Sequence, residues 1–264
     1  MNARRSVLPA HARTIPAGVP EPGPEKTTAR RGLLRWGAVL GGGTLLTACA
    51  SGGAAVAPNR GSERPERVTD PEQALELLRE GNARFAAHPE EHTTRTAAHR
   101  LRIAEGQHPF AAVLSCADSR VPPELVFDQD LGDLFVVRTA GQVLAPPVLG
   151  SVQYAVEHLH VPLLVVLGHE GCGAVSAALE AVQRGSAPSG TAIDSLVEAI
   201  RPAAESALAG TGAEDALPEA VRLNVAGDVL ALSADPLLAE ATAAGHLRVV
   251  GATYDLHDGA VTFT

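Results

Sequence analysis

Four short runs of aliphatic, largely β-branched residues lie between positions 110 and 253, and amphipathic stretches of helical length separate them. Phe110 to Ser115, Leu134 to Thr139, Pro162 to Leu167 and Leu247 to Thr253 read as strands buried on both faces, because apolar residues follow one another without the polar alternation of a half-exposed strand. Between them the period shifts toward 3.6. Pro147 to His158, Cys172 to Arg184, Ile193 to Ala207, Leu217 to Ser233 and Pro236 to Ala244 are predicted helices. Upstream, Asp70-Pro71 opens a helix through Arg84, with an apolar stripe of Ala74, Leu75, Leu77, Leu78 and Phe85 and with proline in the first turn, where no intrahelical N–H is needed. Tyr254 to Gly259 predicts a turn into a last strand, Ala260 to Phe263. Alternating strands and helices imply an α/β fold: a mostly parallel central sheet, flanking helices and a short antiparallel strand at the C-terminus.

This patterning begins only near residue 68. Before it, Thr28-Ala-Arg30-Arg31-Gly-Leu33-Leu34-Arg35 resembles a twin-arginine export signal, and it precedes Trp36 to Leu46, an apolar, glycine-rich stretch too short for a permanent membrane span. Leu46-Thr47-Ala48-Cys49 resembles a bacterial lipobox. The resemblance implies that residues 1–48 are an export signal peptide, and that cleavage leaves Cys49 to take a lipid. The mature chain would then be extracytoplasmic and anchored to a bacterial membrane. Ala48 and Ala50 also form an A-x-A site, where cleavage would instead release a soluble protein. Residues 49–67 are rich in Gly, Ala, Pro, Ser and charge without apolar periodicity, which predicts a flexible linker. Residues 68–264 form one domain, roughly two hundred residues and enough for a single core.

Composition removes several kinds of chemistry. From Cys49 onward the chain has fourteen arginines and no lysine, the single lysine being Lys26. A P-loop lysine, a Schiff base and a pyridoxal cofactor are thereby excluded. Twenty-eight acidic residues in the same stretch leave a net charge near −14, a field that repels polyanions, so nucleic acid is not an expected partner.

The remaining thiols carry the chemistry. Cys116 and Cys172 are the only cysteines of the domain, and they stand in Cys116-Ala-Asp118-Ser-Arg120 and His169-Glu-Gly-Cys172. A disulfide between them would leave His169 aside. Two thiolates and an imidazole suit zinc, whose tetrahedral shell then keeps a fourth position for water or substrate. Cys116 is expected just past the carboxyl end of the first strand and His169 just past the third, the edge at which open α/β sheets place their sites. Gly168, Gly171 and Gly173 are expected to let the backbone turn there. Cys172 begins a helix, which predicts an easily ionised thiol.

The pair C-x-D-x-R with H-x-x-C resembles the β-class carbonic anhydrases, zinc enzymes that interconvert carbon dioxide and bicarbonate. Gly81-Asn82-Ala-Arg84-Phe85, Gly106-Gln107-His-Pro109, the run Cys116 to Glu124, and Gly132 to Arg138 extend the similarity over about Asp70 to the end. Two departures are visible. Arg138-Thr139-Ala-Gly141-Gln142 stands where the family commonly has Arg-Asn-x-Ala/Gly-Asn. Val113 stands where members with an inhibitory bicarbonate pocket carry tryptophan, which argues against that pocket here.

The resemblance implies that Cys116, His169 and Cys172 ligate zinc and that a zinc-bound hydroxide attacks carbon dioxide. Two thiolates cancel the charge of the ion and weaken it as a Lewis acid, so an acceptor that orients the hydroxide gains importance. Asp118 suits that task, and Arg120 holds it by a two-pronged pair. Released by Arg120, Asp118 can itself take the fourth position on the metal; open and closed arrangements both occur in the family. Gln107 is implied to reach across a homodimer interface to substrate, the dimer being the unit of any higher oligomer. Two other readings stand beside this one: a hydrolase of carbonyl sulfide or carbon disulfide on the same scaffold, and a noncatalytic zinc-binding surface lipoprotein, for which Asp118 and Arg120 would be superfluous.

Overall fold

The computed structural model describes residues 67–89, 97–210 and 216–264. The export leader, Cys49 and nearly all of the linker lie outside the described residues. Asp70 caps α1 (Pro71–Ala87), its carboxylate accepting from the Gln73 N–H at 2.8 Å, which satisfies one of the unpaired donors of the first turn. A short α2 (Ala97–Ile103) follows. It buries none of its residues, so no apolar stripe announced it.

The sheet consists of β1 (Ala111–Cys116), β2 (Leu134–Thr139), β3 (Leu163–His169), β4 (Arg248–Tyr254) and β5 (Val261–Phe263), in the order β2-β1-β3-β4-β5. All neighbours are parallel except β4 and β5. Between the strands run α3 (Pro123–Val126), a 3₁₀ turn (Ala140–Gln142), α4 (Pro146–Glu157), α5 (Gly173–Arg184), α6 (Ile193–Gly210), α7 (Ala216–Ala234) and α8 (Pro236–Ala243). The α/β class and every predicted strand and helix are present. β1 and β3 each run one or two residues further than the apolar run, so that Cys116 and His169 are the last residues of their strands rather than the first residues beyond them.

Burial on both faces explains the unbroken apolar runs of β1 and β3, whereas β2, also read as buried, lies at the sheet edge and is only half-buried because it has a neighbour on one side alone. Ala111, Val113, Leu163, Val165 and Leu167 pack with Leu75 and Leu78 of α1 on one face, whereas Ala112, Leu114, Leu164 and Val166 pack with Val148 and Val152 of α4, Leu232 of α7 and Leu238 of α8 on the other. Each fully buried leucine or valine of this kind contributes about 1.5–3 kcal/mol relative to exposure. Asn82 fastens α1 across the molecule: its Nδ2 donates to the carbonyls of Val126 and Gly259, and its Oδ1 accepts from the Val261 N–H at 2.8 Å. Arg84 adds an ion pair to the buried Asp128 at 2.6 Å.

Gly168 does not serve a turn. It lies inside β3, where a Cβ would meet Val225 Cγ2 at 2.5 Å, so glycine permits α7 to approach the strand just before His169. Gly150, inside α4, would meet nothing within 4 Å. Gly168→Ala is therefore expected to destabilise the protein by about 1–3 kcal/mol through overpacking. Gly150→Ala is expected to stabilise it by about 0.5–1 kcal/mol through helix propensity. Chemical denaturation of the two variants beside wild type checks both signs.

Candidate metal centre and active site

The sheet changes direction of winding beside β1: the chain passes from β1 to β2 on one side and then returns to β3 on the other. Ligand sites of open α/β sheets sit at the carboxyl end of such a switch point, where the helices diverge and leave a crevice. Parallel pairing of Ala112–Ser115 with Leu164–Leu167 brings Cys116 and His169 to neighbouring strand ends at that point. Glu170 and Gly171, the latter at φ +60°, then turn the chain so that Cys172 becomes the N-cap of α5.

The three side chains converge. Their ligand atoms all lie within 4.8 Å of one another, and all three residues are buried. The sulfurs are unbonded, 3.9 Å apart, close to the roughly 3.8 Å that two Zn–S bonds at a tetrahedral angle would require. His169 Nδ1 lies 2.8 Å from the Glu170 carbonyl, which can only accept; Nδ1 therefore carries the proton and Nε2 a lone pair. Nε2 is fully buried yet makes no hydrogen bond. An orphaned imidazole nitrogen facing two sulfurs is the donor set a borderline metal needs, and the residues fit zinc.

Without metal the two thiols share a proton unequally. Hydrogen bonding from Cys172 draws Cys116 down to about 4, against the effect of burial, and a further N–H bond from Gly141, at 3.3 Å, supports the Cys116 sulfur. Cys172 is pushed up in turn by its bond to Cys116 and by burial. The two thiols titrate as a coupled pair, the first to ionise being held by the S–H of the other, 3.9 Å away. Metal binding would displace the proton that the two thiols share.

Asp118 and Arg120 form the expected pair. Asp118 Oδ1 accepts from Arg120 Nε at 2.9 Å and from its backbone N–H at 2.9 Å, and Oδ2 accepts from Nη2 at 2.7 Å. Arg120 holds the Asp118 carboxyl well below the usual carboxylate range. Oδ2 also lies 3.8 Å from His169 Nε2, so an ionised oxygen stands beside the metal position while its other contacts belong to arginine. Gln107 is exposed on the approach to β1 and makes no hydrogen bond among the described residues.

Arg138 has a sharper role than the sequence disclosed. Its Nε donates to the Cys116 carbonyl at 2.9 Å, and its Nη2 donates to the carbonyls of Asp118 and Val121 at 2.6 and 3.1 Å. One guanidinium thus gathers the backbone of the whole C-x-D-x-R loop, a planar, multi-donor task beyond lysine. Gly141 is fixed similarly: φ is +67°, its carbonyl accepts from Asn224 Nδ2 at 3.0 Å, and a Cβ would meet Ile200 Cδ1 at 2.6 Å. Thr139, at one of the two departures from the family pattern, donates through Oγ1 to the Val143 carbonyl at 3.0 Å.

Comparison with known proteins agrees with this geometry. The family model for carbonic anhydrase matches residues 111–261, and the chain belongs to that family. It is 46% identical over 195 residues to carbonic anhydrase 2 of Mycobacterium tuberculosis, covering 72% of this chain and 91% of that protein. It is 44% identical over 194 residues to the carbonic anhydrase of Mycolicibacterium smegmatis, covering 73% and 93% respectively. Among solved structures, a tetrameric β-carbonic anhydrase of Sordaria macrospora superposes with a TM-score of 0.57 at 26% identity, covering 73% of this chain and 95% of that one. The β class follows from sheet order, ligand set and these neighbours together.

The wild-type protein is expected to bind one zinc per chain. Cys116→Ser, His169→Ala and Cys172→Ser should each weaken zinc at least about tenfold, as loss of one of the few protein ligands must. Metal analysis after dialysis against a graded chelator series measures both.

Proposed function

We propose that the protein hydrates carbon dioxide reversibly to bicarbonate and a proton, with zinc held by Cys116, His169 and Cys172. The observation that carries this reading is the buried, unpartnered His169 Nε2 facing two sulfurs, with an arginine-held carboxylate beside it. When bound, zinc would supply Lewis acidity that makes a coordinated water a nucleophile near neutral pH. The chain's own groups then account for selection and aim. Asp118, ionised by its pair with Arg120, can only accept a hydrogen bond, so it favours an O–H donor at the metal position and orients it. Arg120 prevents the carboxylate from swinging onto the metal. Arg138, by holding the Cys116 and Asp118 carbonyls, keeps ligand and acceptor in one frame. A noncatalytic zinc protein would need none of these three arrangements.

Substrate contact from Gln107 would come across a homodimer interface, in keeping with its exposure here and with the tetrameric assembly of the Sordaria relative. For the leader, the reading is export by the twin-arginine route and a lipid on Cys49, supported by Arg30-Arg31, the apolar stretch and the Leu46-to-Cys49 lipobox pattern. Since that route carries folded proteins, the metal would be loaded before export.

Arg120→Ala and Asp118→Asn are both expected to retain zinc while losing on the order of a hundredfold or more in hydration rate, the scale of a positioned proton-handling group. Stopped-flow hydration with metal analysis tests this, and carbonyl sulfide run in parallel reports on the isosteric substrate. Near-normal rates in both zinc-loaded variants would overturn the role given to the pair.

Cys49→Ala should leave the exported protein in the soluble fraction with hydration activity unchanged, because Cys49 precedes the domain. Arg30→Lys with Arg31→Lys should retain it in the cytoplasm. Fractionation by immunoblot reads both, and a membrane-bound Cys49→Ala protein would refute the lipid.

A further inference from the structure

A second cavity, away from the metal centre, opens between α6 and α7 and has a volume of about 490 Å³. That is within the range of small-ligand pockets. Val143, Leu144, Ala203, Leu223 and Ala231 give it largely apolar walls, and Asp228 of α7 stands among them. Asp228 Oδ2 is inaccessible to solvent and has no hydrogen-bond partner. The residue as a whole is half-buried, but a carboxylate with one oxygen covered and unpartnered is costly, and such groups are ordinarily paired or hydrogen-bonded.

Among the described residues, no cation is offered to this carboxylate. No basic side chain lines the cavity, and no lysine occurs after Lys26. The arginine of α6, Arg201, is engaged by Glu198 through two bonds of 3.1 and 2.7 Å, and Arg222 of α7 is engaged by Glu219. A divalent metal is equally unsuited. Asp228 belongs to no group of three ligating side chains among the described residues, and the other polar side chains of the wall, Ser206 and Asn224, are too few and too weak as ligands to complete the six or more oxygens such an ion takes.

We propose that this cavity is a binding site for a small organic ammonium, its N–H groups donating to Asp228 and its hydrocarbon part lying against Val143, Leu144 and Leu223. Charge, shape and polarity all select that class: one carboxylate at the wall, mostly apolar surface around it with Ser206 and Asn224 as the other polar side chains, and space for a few carbon atoms. Burial raises the Asp228 carboxyl to about 7, so at pH 8 it is mainly ionised and able to pair. The site adjoins the framework of the metal centre, since Asn224, one turn before Asp228 on α7, holds the Gly141 carbonyl, and the Gly141 N–H supports the Cys116 sulfur. It does not depend on the hydration reading.

The test is calorimetric titration of the zinc-loaded protein at pH 8 with n-butylammonium chloride, and with 1-butanol as the uncharged counterpart. Wild type should bind the ammonium saturably and at least tenfold more tightly than the alcohol. Asp228→Asn, which preserves shape but removes charge, should weaken the ammonium at least tenfold. Ala231→Leu, which fills the cavity from an exposed position and leaves Asp228 in place, should do the same. Absence of saturable binding by wild type, equal binding of the alcohol, or unchanged ammonium binding in either variant overturns the proposal. A cavity covered by a second copy of the chain would give the first of these results.

Discussion

The parallel pairing of β1 with β3 is the constraint on which the site depends. Neither Cys116 nor His169 can approach the other through local structure, being fifty-three residues apart in the chain, and no turn or helix joins them directly. Strand pairing brings their backbones to neighbouring strand ends, and the buried faces of both strands lock its register. A slip of one residue would exchange Val113 and Val165 with Leu114 and Val166, sending each set to the wrong core. Hydrophobic patterning therefore positions a polar centre that itself contributes little to folding in the absence of metal.

Around that centre the protein solves an electrostatic problem with arginine alone. Two sulfurs and an imidazole in a buried crevice repel water and, without metal, compete for protons, so Cys116 is driven down and Cys172 up. Asp118 must remain ionised in the same neighbourhood without occupying the metal position. Arg120 provides both conditions through a fork that engages both carboxylate oxygens. Arg138 works on backbone instead, satisfying three carbonyls of a loop that leaves the sheet and would otherwise carry unpaired acceptors. Both tasks use several fixed donors on one plane, which fits a domain containing eleven arginines and no lysine.

The third cluster of packed residues links this centre to its surroundings. Cys116 and Cys172 belong to the same apolar group as Val175 and Leu179 of α5 and Ile200 and Ala204 of α6. Close approach at Gly141 leaves no room for a side chain between the ligand loop and α6. The metal centre is thus embedded in helix packing rather than presented on a mobile loop, and α6 and α7 reach from it to the second cavity, whose walls include Val143, next to Gln142.

The sequence alone determined the elements and the identity of the reacting groups. Short, β-branched apolar runs between helical stretches mark strands, although β2 proved to be a half-buried edge strand; Asp70-Pro71 can cap a helix locally, and cysteine, histidine, aspartate and arginine carry their chemistry in their side chains. The antiparallel last strand was equally legible, because a six-residue turn from Tyr254 to Gly259 is too short for a parallel crossover. What depended on distant contacts was not legible. Arg138 reads from sequence as an ordinary strand residue, and only the folding of the Cys116 loop across β2 shows which carbonyls it serves. Gly168 looks like a turn residue until α7 is seen against β3. The ionisation of each ligand thiol is coupled to a sulfur fifty-six positions away in the chain, and Asp228 became an unpaired acid only when α6 packed over α7. In each case the deciding quantity is a through-space distance set by packing, which no local pattern encodes.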